Sequence, residues 1–225
     1  MKLQHRRGGR IAGIATAALA LSLTLAACGG DDSDSDADSG TDTETSAATE
    51  ETTEAMASEP FGEACSALPT DGPGSLEGMV GEPVATAASN NPLLTTLATA
   101  VGAVDGLADT LNGADALTVF APYNDAFAAI PEKDLNALIK GGQKDGQDST
   151  LYTILAHHVV GANADAEAVV GEHETLAGDM ITVEGDTESG MTVSDGTVTA
   201  TVLCGNVPTA NATVYVIDQV LTGVQ

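Results

Sequence analysis

The sequence predicts an α+β domain, because helix-like segments occupy its first half and strand-like segments its second. Apolar residues recur at helical intervals early in the domain, as in Leu93, Leu97, Val101 and Val104. Beyond residue 180, short β-branched runs are separated by Gly-Asp and Ser-Gly turn signals. Clustered helices followed by clustered strands favour antiparallel pairing over a doubly wound parallel sheet.

Each element has its own local signal. Residues 83–89 predict a short helix that ends at Asn90-Asn91, and Pro92 suits the first turn of a longer helix. Leu117 to Phe120 predicts a buried strand, and Ser149 or Asp148 can cap a late helix. Further helices are predicted at 123–130 and 132–140, and strands at 180–183, 191–193, 197–199 and 213–217.

The first 27 residues have the layout of a secretory signal peptide. Four basic residues precede a mostly apolar run of 17 residues, slightly fewer than the roughly 18 that a membrane-spanning helix needs. The run ends in Leu25-Ala26-Ala27-Cys28, which resembles the bacterial lipoprotein box. We therefore expect lipidation of Cys28 and anchoring to the outer face of the cell membrane. Release of a shed or secreted form is compatible with this anchor. The alternative is cleavage elsewhere, which leaves an unused thiol at Cys28.

Residues 28–64 predict a flexible tether behind the lipidated cysteine. From residue 29 to residue 64 the chain has 12 acidic and no basic residues, with too few apolar side chains for a core. A flexible chain of this length spans roughly 30 to 36 Å. The alternative is a cation-binding or sugar-bearing stalk that uses its threonines as acceptors.

The remaining residues, 65–225, suit one globular domain. They carry 21 acidic and three basic residues, a net charge of −18. This charge argues against a nucleic-acid partner and against attraction to anionic lipid head groups. Contact with the membrane is therefore expected through the lipid anchor alone.

Cysteine counting predicts a disulfide in this domain. Lipidation uses Cys28, which leaves Cys65 and Cys204 as a pair in an oxidising compartment. Two free thiols or a metal-binding pair are the alternatives, although no Cys-x-x-Cys spacing or histidine cluster supports a metal.

Three dispersed segments match the signature segments of one family in order and spacing. The segments LTVFAPYNDAFAAI (117–130), ILAHHVVGAN (154–163) and NATVYVIDQVL (211–221) resemble those of a fasciclin, or FAS1, domain. The resemblance covers residues 75–222. The segment ASNNPLLTTL (88–97) and the positions of the two cysteines are similar to an actinobacterial branch that includes secreted antigens and cell-surface lipoproteins.

The resemblance implies a wedge-shaped β-sandwich with helices packed on one flank, and in that branch the two cysteines are joined. Asn124 or Asp125 is expected to bond backbone amides at the start of the following helix. In the last motif, Tyr215 and Ile217 are expected on one strand face. The candidate motif or binding residues are Asn124, Asp125, His157, His158 and Asp218.

The two histidines of the middle motif differ in their match to the family. His158 aligns with the family histidine, whereas His157 replaces a common tyrosine. We expect His158 to be a hydrogen-bonded core residue within an apolar strand. Animal fasciclin domains are thought to bind integrins near this motif, but the chain has only Lys133-Asp134-Leu135 as a loose match, so integrin binding is not inferred.

Sequence motifs favour a binding role over catalysis. The chain has no Gly-x-Ser-x-Gly elbow, phosphate-binding glycine loop or His-Glu-x-x-His. Glu172-His173-Glu174 could bind a metal, but adjacent residues of an extended chain point to opposite faces. Asn211-Ala212-Thr213 fits the glycosylation sequon, although its use in a bacterium is not expected.

We therefore expect a lipid-anchored binding or adhesion module that is not an enzyme and needs no cofactor or metal. Its expected partner is an extracellular or cell-envelope protein or glycan. The alternatives are a lipoprotein that binds a small apolar ligand between sheet and helices, and a structural protein of the cell envelope.

Overall fold

Seven α-helices and seven β-strands occur among residues 59–224, which are the residues described by the computed structural model. The signal segment, Cys28 and most of the tether lie outside the described residues. The helices are α1 (Leu76–Val80), α2 (Val84–Asn90), α3 (Thr95–Gly102), α4 (Leu107–Gly113), α5 (Asn124–Ala128), α6 (Glu132–Asp145) and α7 (Thr150–His157). The strands are β1 (Leu117–Pro122), β2 (Val159–Val160), β3 (Gly171–Glu174), β4 (Met180–Asp186), β5 (Gly190–Ser194), β6 (Thr199–Pro208) and β7 (Ala212–Ile217).

The strands form one sheet in the order β2-β1-β7-β6-β5-β4-β3. Strands β1 and β7 are parallel, and the other neighbouring pairs are antiparallel. A single bridge between Val160, in β2, and Thr175, just after β3, brings the two ends of the sheet together. The sheet is therefore nearly closed, and its two halves share the ten-residue strand β6.

Two hydrophobic cores explain the layers of the fold. One core lies within the folded sheet and contains Phe120, Ile181, Val193 and Tyr215. The other joins the helices to the outer face of β1, β6 and β7, where it includes Val214. Alternate residues of β7 thus enter different cores, as the pattern of the last motif predicts. The α+β fold with helices on one flank is confirmed.

The helix predicted from Pro92 onwards is divided in two. Residues Pro92–Leu94 form a 3-10 turn, in which the side chain of Asn91 accepts the N–H of Leu93 at 2.9 Å. Helix α3 then begins at Thr95, because a side chain from another part of the chain caps it. No helix among the described residues is long and apolar enough to cross a membrane.

The strand predicted at 197–199 is wrong for its first two residues. The Asp195 carboxylate accepts the N–H groups of Thr197 at 2.8 Å and Val198 at 2.6 Å, which holds both residues in a turn. Strand β6 begins only at Thr199. A side chain that bonds nearby backbone amides in this way competes with strand pairing.

The predicted disulfide joins Cys65 to Cys204 across 139 residues of sequence. Cys65 lies in the 3-10 turn Glu63–Ala67, and Cys204 lies in β6 with no exposed surface. Phe61 pairs with Gly205 beside this link, and its ring contacts that of Tyr215 with centroids 6.5 Å apart. The start of the domain is thus fastened to the strand that both halves of the sheet share.

Candidate functional site

The middle motif lies at the end of a helix, so its predicted placement inside an apolar strand is wrong. Ser149 caps α7 by accepting the N–H of Tyr152 at 3.1 Å, and buried Leu151 and Leu155 recur one turn apart. His157 is the last residue of the helix and His158 follows it. Only the next two residues form a strand.

His158 is a buried, neutral histidine whose two ring nitrogens are both bonded. Its Nε2 lies 2.9 Å from the backbone N–H of Leu221 and must accept that hydrogen. The proton therefore resides on Nδ1, which donates to the carbonyl of Ile154 at 2.7 Å. Burial lowers the pKa of His158 to about 4, and the nearby His157 adds to the lowering, against the opposing bond to Ile154. The expected core role of His158 is consistent with this geometry.

His157 lies between two aspartates that come from separate turns of the sheet. The ring is fully buried. Its Nδ1 is 3.3 Å from a carboxylate oxygen of Asp179, in the β3–β4 turn, and its Nε2 is 3.6 Å from one of Asp195, in the β5–β6 turn. Neither contact has hydrogen-bond geometry. We call these four residues, His157, His158, Asp179 and Asp195, the histidine–aspartate cluster.

Asp195 connects the cluster to the C-terminal segment, which consists of residues 218–224 after β7. Besides its bonds within the turn, it accepts the N–H of Gly223 at 2.7 Å. Burial by itself raises the pKa of Asp195, but the N–H donors of Val198, Gly223 and Thr197, with His157, outweigh burial and leave this pKa below its usual value. A Cβ at Gly223 would lie 2.7 Å from the carboxylate, so only glycine allows this approach.

The cluster joins α7, two hairpin turns and the C-terminal segment at one buried point. Both ring nitrogens of His158 and the carboxylate of Asp195 are bonded to backbone groups, and the ring of His157 is enclosed between the two aspartates. These contacts link the surrounding elements and indicate a structural role. Sequence reasoning selected both histidines but missed Asp179 and Asp195. The Asp195-Gly196 pair signals a turn, but nothing in the local sequence shows that its carboxylate reaches His157.

Asn124 has a structural role that differs from the predicted one. Its side chain does not cap α5, the helix in which it lies. Instead its Oδ1 accepts the N–H of Thr96 at 3.0 Å, and its Nδ2 donates to the carbonyl of Pro92 at 2.8 Å. Asn124 thereby caps α3. Asp125 is exposed in the first turn of α5.

The remaining polar candidates are also engaged in the scaffold. Asp218 accepts the N–H of Thr201 at 2.6 Å. Asn211 accepts the N–H of Val84 at 2.9 Å and donates to two carbonyls, so its amide is not available for a sugar. Glu172 and Glu174 are exposed on β3, and no cluster among residues 59–224 could hold a metal ion.

The lysines of the domain lie together on one side of α6. Lys133, Lys140 and Lys144 are the only basic residues in 65–225, and all three lie exposed on this helix. Spacings of seven and four residues place Lys140 and Lys144 within about 20° on either side of Lys133 around the helix axis. Gly142, the buried residue of α6, lies on the opposite side. We call these three residues the lysine face.

Comparisons with known proteins agree with the motifs and the fold. The model of the fasciclin domain family matches residues 92–223. The chain is 42% identical over 186 residues to cell surface glycolipoprotein MPB83 of Mycobacterium bovis, covering 78% of this chain and 79% of that protein. The chain belongs to the fasciclin domain family.

Two further fasciclin-family matches differ in strength. Immunogenic protein MPB70 of Mycobacterium bovis is 43% identical over 175 residues, covering 74% of this chain and 84% of that protein. The solved FAS1 domain pair of the insect cell adhesion molecule fasciclin I is 22% identical and has a TM-score of 0.45, over 58% of this chain and 44% of that one.

Proposed function

We propose that this fasciclin-family protein is a non-enzymatic binding module on the outside of the cell, held to the membrane by a lipid on Cys28. Its partner is an anionic glycan of the cell envelope, which binds to the lysine face of α6. The lipoprotein box of the sequence and the name of the relative MPB83, a cell surface glycolipoprotein, support the location.

The lysine face carries the proposal because it is the one surface of the domain where positive charge is concentrated. At 100° per residue, Glu132, Asp134 and Asp145 lie about 100° or more from the axis of the lysine face. Asn136, Ala137 and Gln143 are the exposed neutral residues beside it. Among the described residues, its one ion pair joins Lys144 to Asp145 at 3.4 Å, and the two side chains are 82% and 48% exposed. A linear anion that touches only this ridge avoids the acidic remainder of the domain.

The other motif side chains offer less to a partner. His157 and His158 are buried, and Asn124 and Asp218 bond the scaffold. All six tyrosines and phenylalanines are at least half-buried, so the surface lacks the aromatic anchors of tight protein interfaces. These features favour weak, charge-dependent binding to a repetitive glycan.

Replacing the three lysines with glutamine is expected to weaken glycan binding about tenfold, because three exposed ion pairs of about 0.5 kcal/mol each are lost. The measurement is binding of the full mature chain to an immobilised carboxylated polysaccharide, with neutral dextran as the reference. Raising the salt concentration should weaken wild-type binding in the same direction.

A matched control makes the net charge more negative by the same amount, but at positions outside α6. Thr70→Glu, Thr110→Glu and Thr187→Glu change exposed residues outside α6, and this triple variant should bind within about twofold of wild type if local rather than net charge decides. Lys→Arg at all three positions should preserve binding. Equal binding by the glutamine variant and wild type would reject the lysine face as the contact.

A further inference from the structure

An apolar cavity lies beneath α6, on the side opposite to the lysine face. Its volume is about 130 Å³. Helices α3, α5, α6 and α7, the end of β1 and the C-terminal segment all contribute to its wall. The wall is almost wholly apolar, and among its residues are Leu97, Phe127, Leu138, Ile154 and Val220.

A second, smaller apolar cavity of about 40 Å³ lies on the other side of the same wall, between β1 and helices α2, α3, α4 and α7. Leu97, Leu155 and His158 line both cavities and so separate them. His158 behaves as an apolar wall here, because both of its ring nitrogens are already bonded.

Helix α6 covers the larger cavity and is the most weakly packed long element of the domain. Of its 14 residues only Gly142 is buried, while Leu135, Leu138 and Ile139 are half-buried. Few buried apolar contacts mean a low free energy of local opening. Displacement of α6 therefore gives a route from solvent into the cavity without disrupting the sheet.

We propose that the cavity beneath α6 binds a compact hydrocarbon group of about six carbon atoms. Apolar cavities of about 150 Å³ stay dry and take up molecules the size of benzene. The wall presents almost no polar surface that would fix a polar ligand, so shape and apolar burial select the ligand. This site is independent of the lysine face, since the two lie on opposite sides of α6.

Benzene is the probe for this site in the full mature chain. With methyl-labelled protein, we expect saturable NMR shifts at Leu135, Leu138, Ile154 and Leu155, and none at Ile181 or Val193 in the core within the sheet. Benzene should also raise the midpoint of thermal unfolding, because it binds only the folded state.

Leu138→Trp fills the cavity from a half-buried position and should weaken benzene binding at least tenfold. Leu138→Ala enlarges the cavity and should retain binding. Leu176→Trp, on an exposed turn residue, is the control and should leave binding unchanged. The Ile181 and Val193 signals report whether each variant is folded. Absence of saturable shifts in folded wild type, or equal shifts in folded Leu138→Trp, would overturn the proposal.

Discussion

Replacing Cys65 and Cys204 with serine is expected to lower the free energy of unfolding by about 5 kcal/mol. The disulfide closes a loop across 139 residues, and loop-closure entropy predicts a loss of this size when the link is removed. For a domain of this length the midpoint of thermal unfolding should fall by roughly 10 to 20 °C. Urea unfolding of the full mature chain measures the free energy directly.

Two comparisons separate the effect of losing the disulfide from other effects of the serine substitutions. Wild type unfolded in the presence of a reductant should match the double-serine variant. Cys28→Ser removes a cysteine outside the domain and should leave the free energy of unfolding unchanged. A loss below about 1 kcal/mol in the double variant would show that the link adds little to a scaffold that is already stable.

Acidification from pH 6.5 to pH 4 is expected to destabilise the domain by about 3 kcal/mol through His158 alone. The pKa of this histidine is 6.5 when unfolded and about 4 when folded. Between these values the unfolded chain binds the extra proton, so stability falls as pH falls, by at most about 1.4 kcal/mol per pH unit. Protonation also forces Nε2 to give up the hydrogen bond that it accepts from Leu221.

The pH window separates this histidine from Asp195. The pKa of Asp195 is lowered from 3.8, so its share of stability is lost only at more acidic pH. His158→Gln should remove the slope that produces this loss of about 3 kcal/mol between pH 6.5 and 4, and it should also lower stability at neutral pH. His173→Gln, at a half-buried position on β3, should keep the slope. An unchanged slope in His158→Gln would show that another group titrates.

The sequence identifies elements whose signals are local. Alternation in the last motif places Tyr215 and Ile217 in one core and Val214 and Val216 in the other, as the structure shows. Ser149 correctly marks the start of α7, because a cap and the first turn lie within four residues. The pairing of Cys65 with Cys204 follows from a count and a compartment.

Features that depend on contacts between distant residues could not be predicted from the local sequence. Asn124 caps α3 from 28 residues away, and Asp195 reaches His157 across 38 residues. The sequence pattern predicts this helix only to residue 140, and Gly141 and Gly142, which follow, are poor helix formers. Packing of Gly142 beside Val104 and Leu151 overrides that preference and extends the helix to Asp145. Only the longer helix includes Lys144, so the predicted helix did not contain the whole lysine face.

This fasciclin-family protein has a scaffold, a lysine face and an apolar cavity, to which different roles can be assigned. The signature motifs build the scaffold, as the buried histidine–aspartate cluster shows. The lysine face and the cavity on opposite sides of α6 are the surfaces that we propose for ligands. All of this is proposed to operate outside the cell, where the disulfide is stable and a lipid on Cys28 retains the chain.

Metabolic labelling with an alkyne fatty acid tests that location most directly. The full-length chain, produced in a bacterium with the lipoprotein pathway, should carry the label, remain with the membrane and be removed by protease added to intact cells. Cys28→Ser should be unlabelled and leave the membrane fraction, while the Cys65→Ser, Cys204→Ser variant should keep the label. An unlabelled wild type, or a Cys28→Ser chain that stays on the membrane, would contradict the lipid anchor.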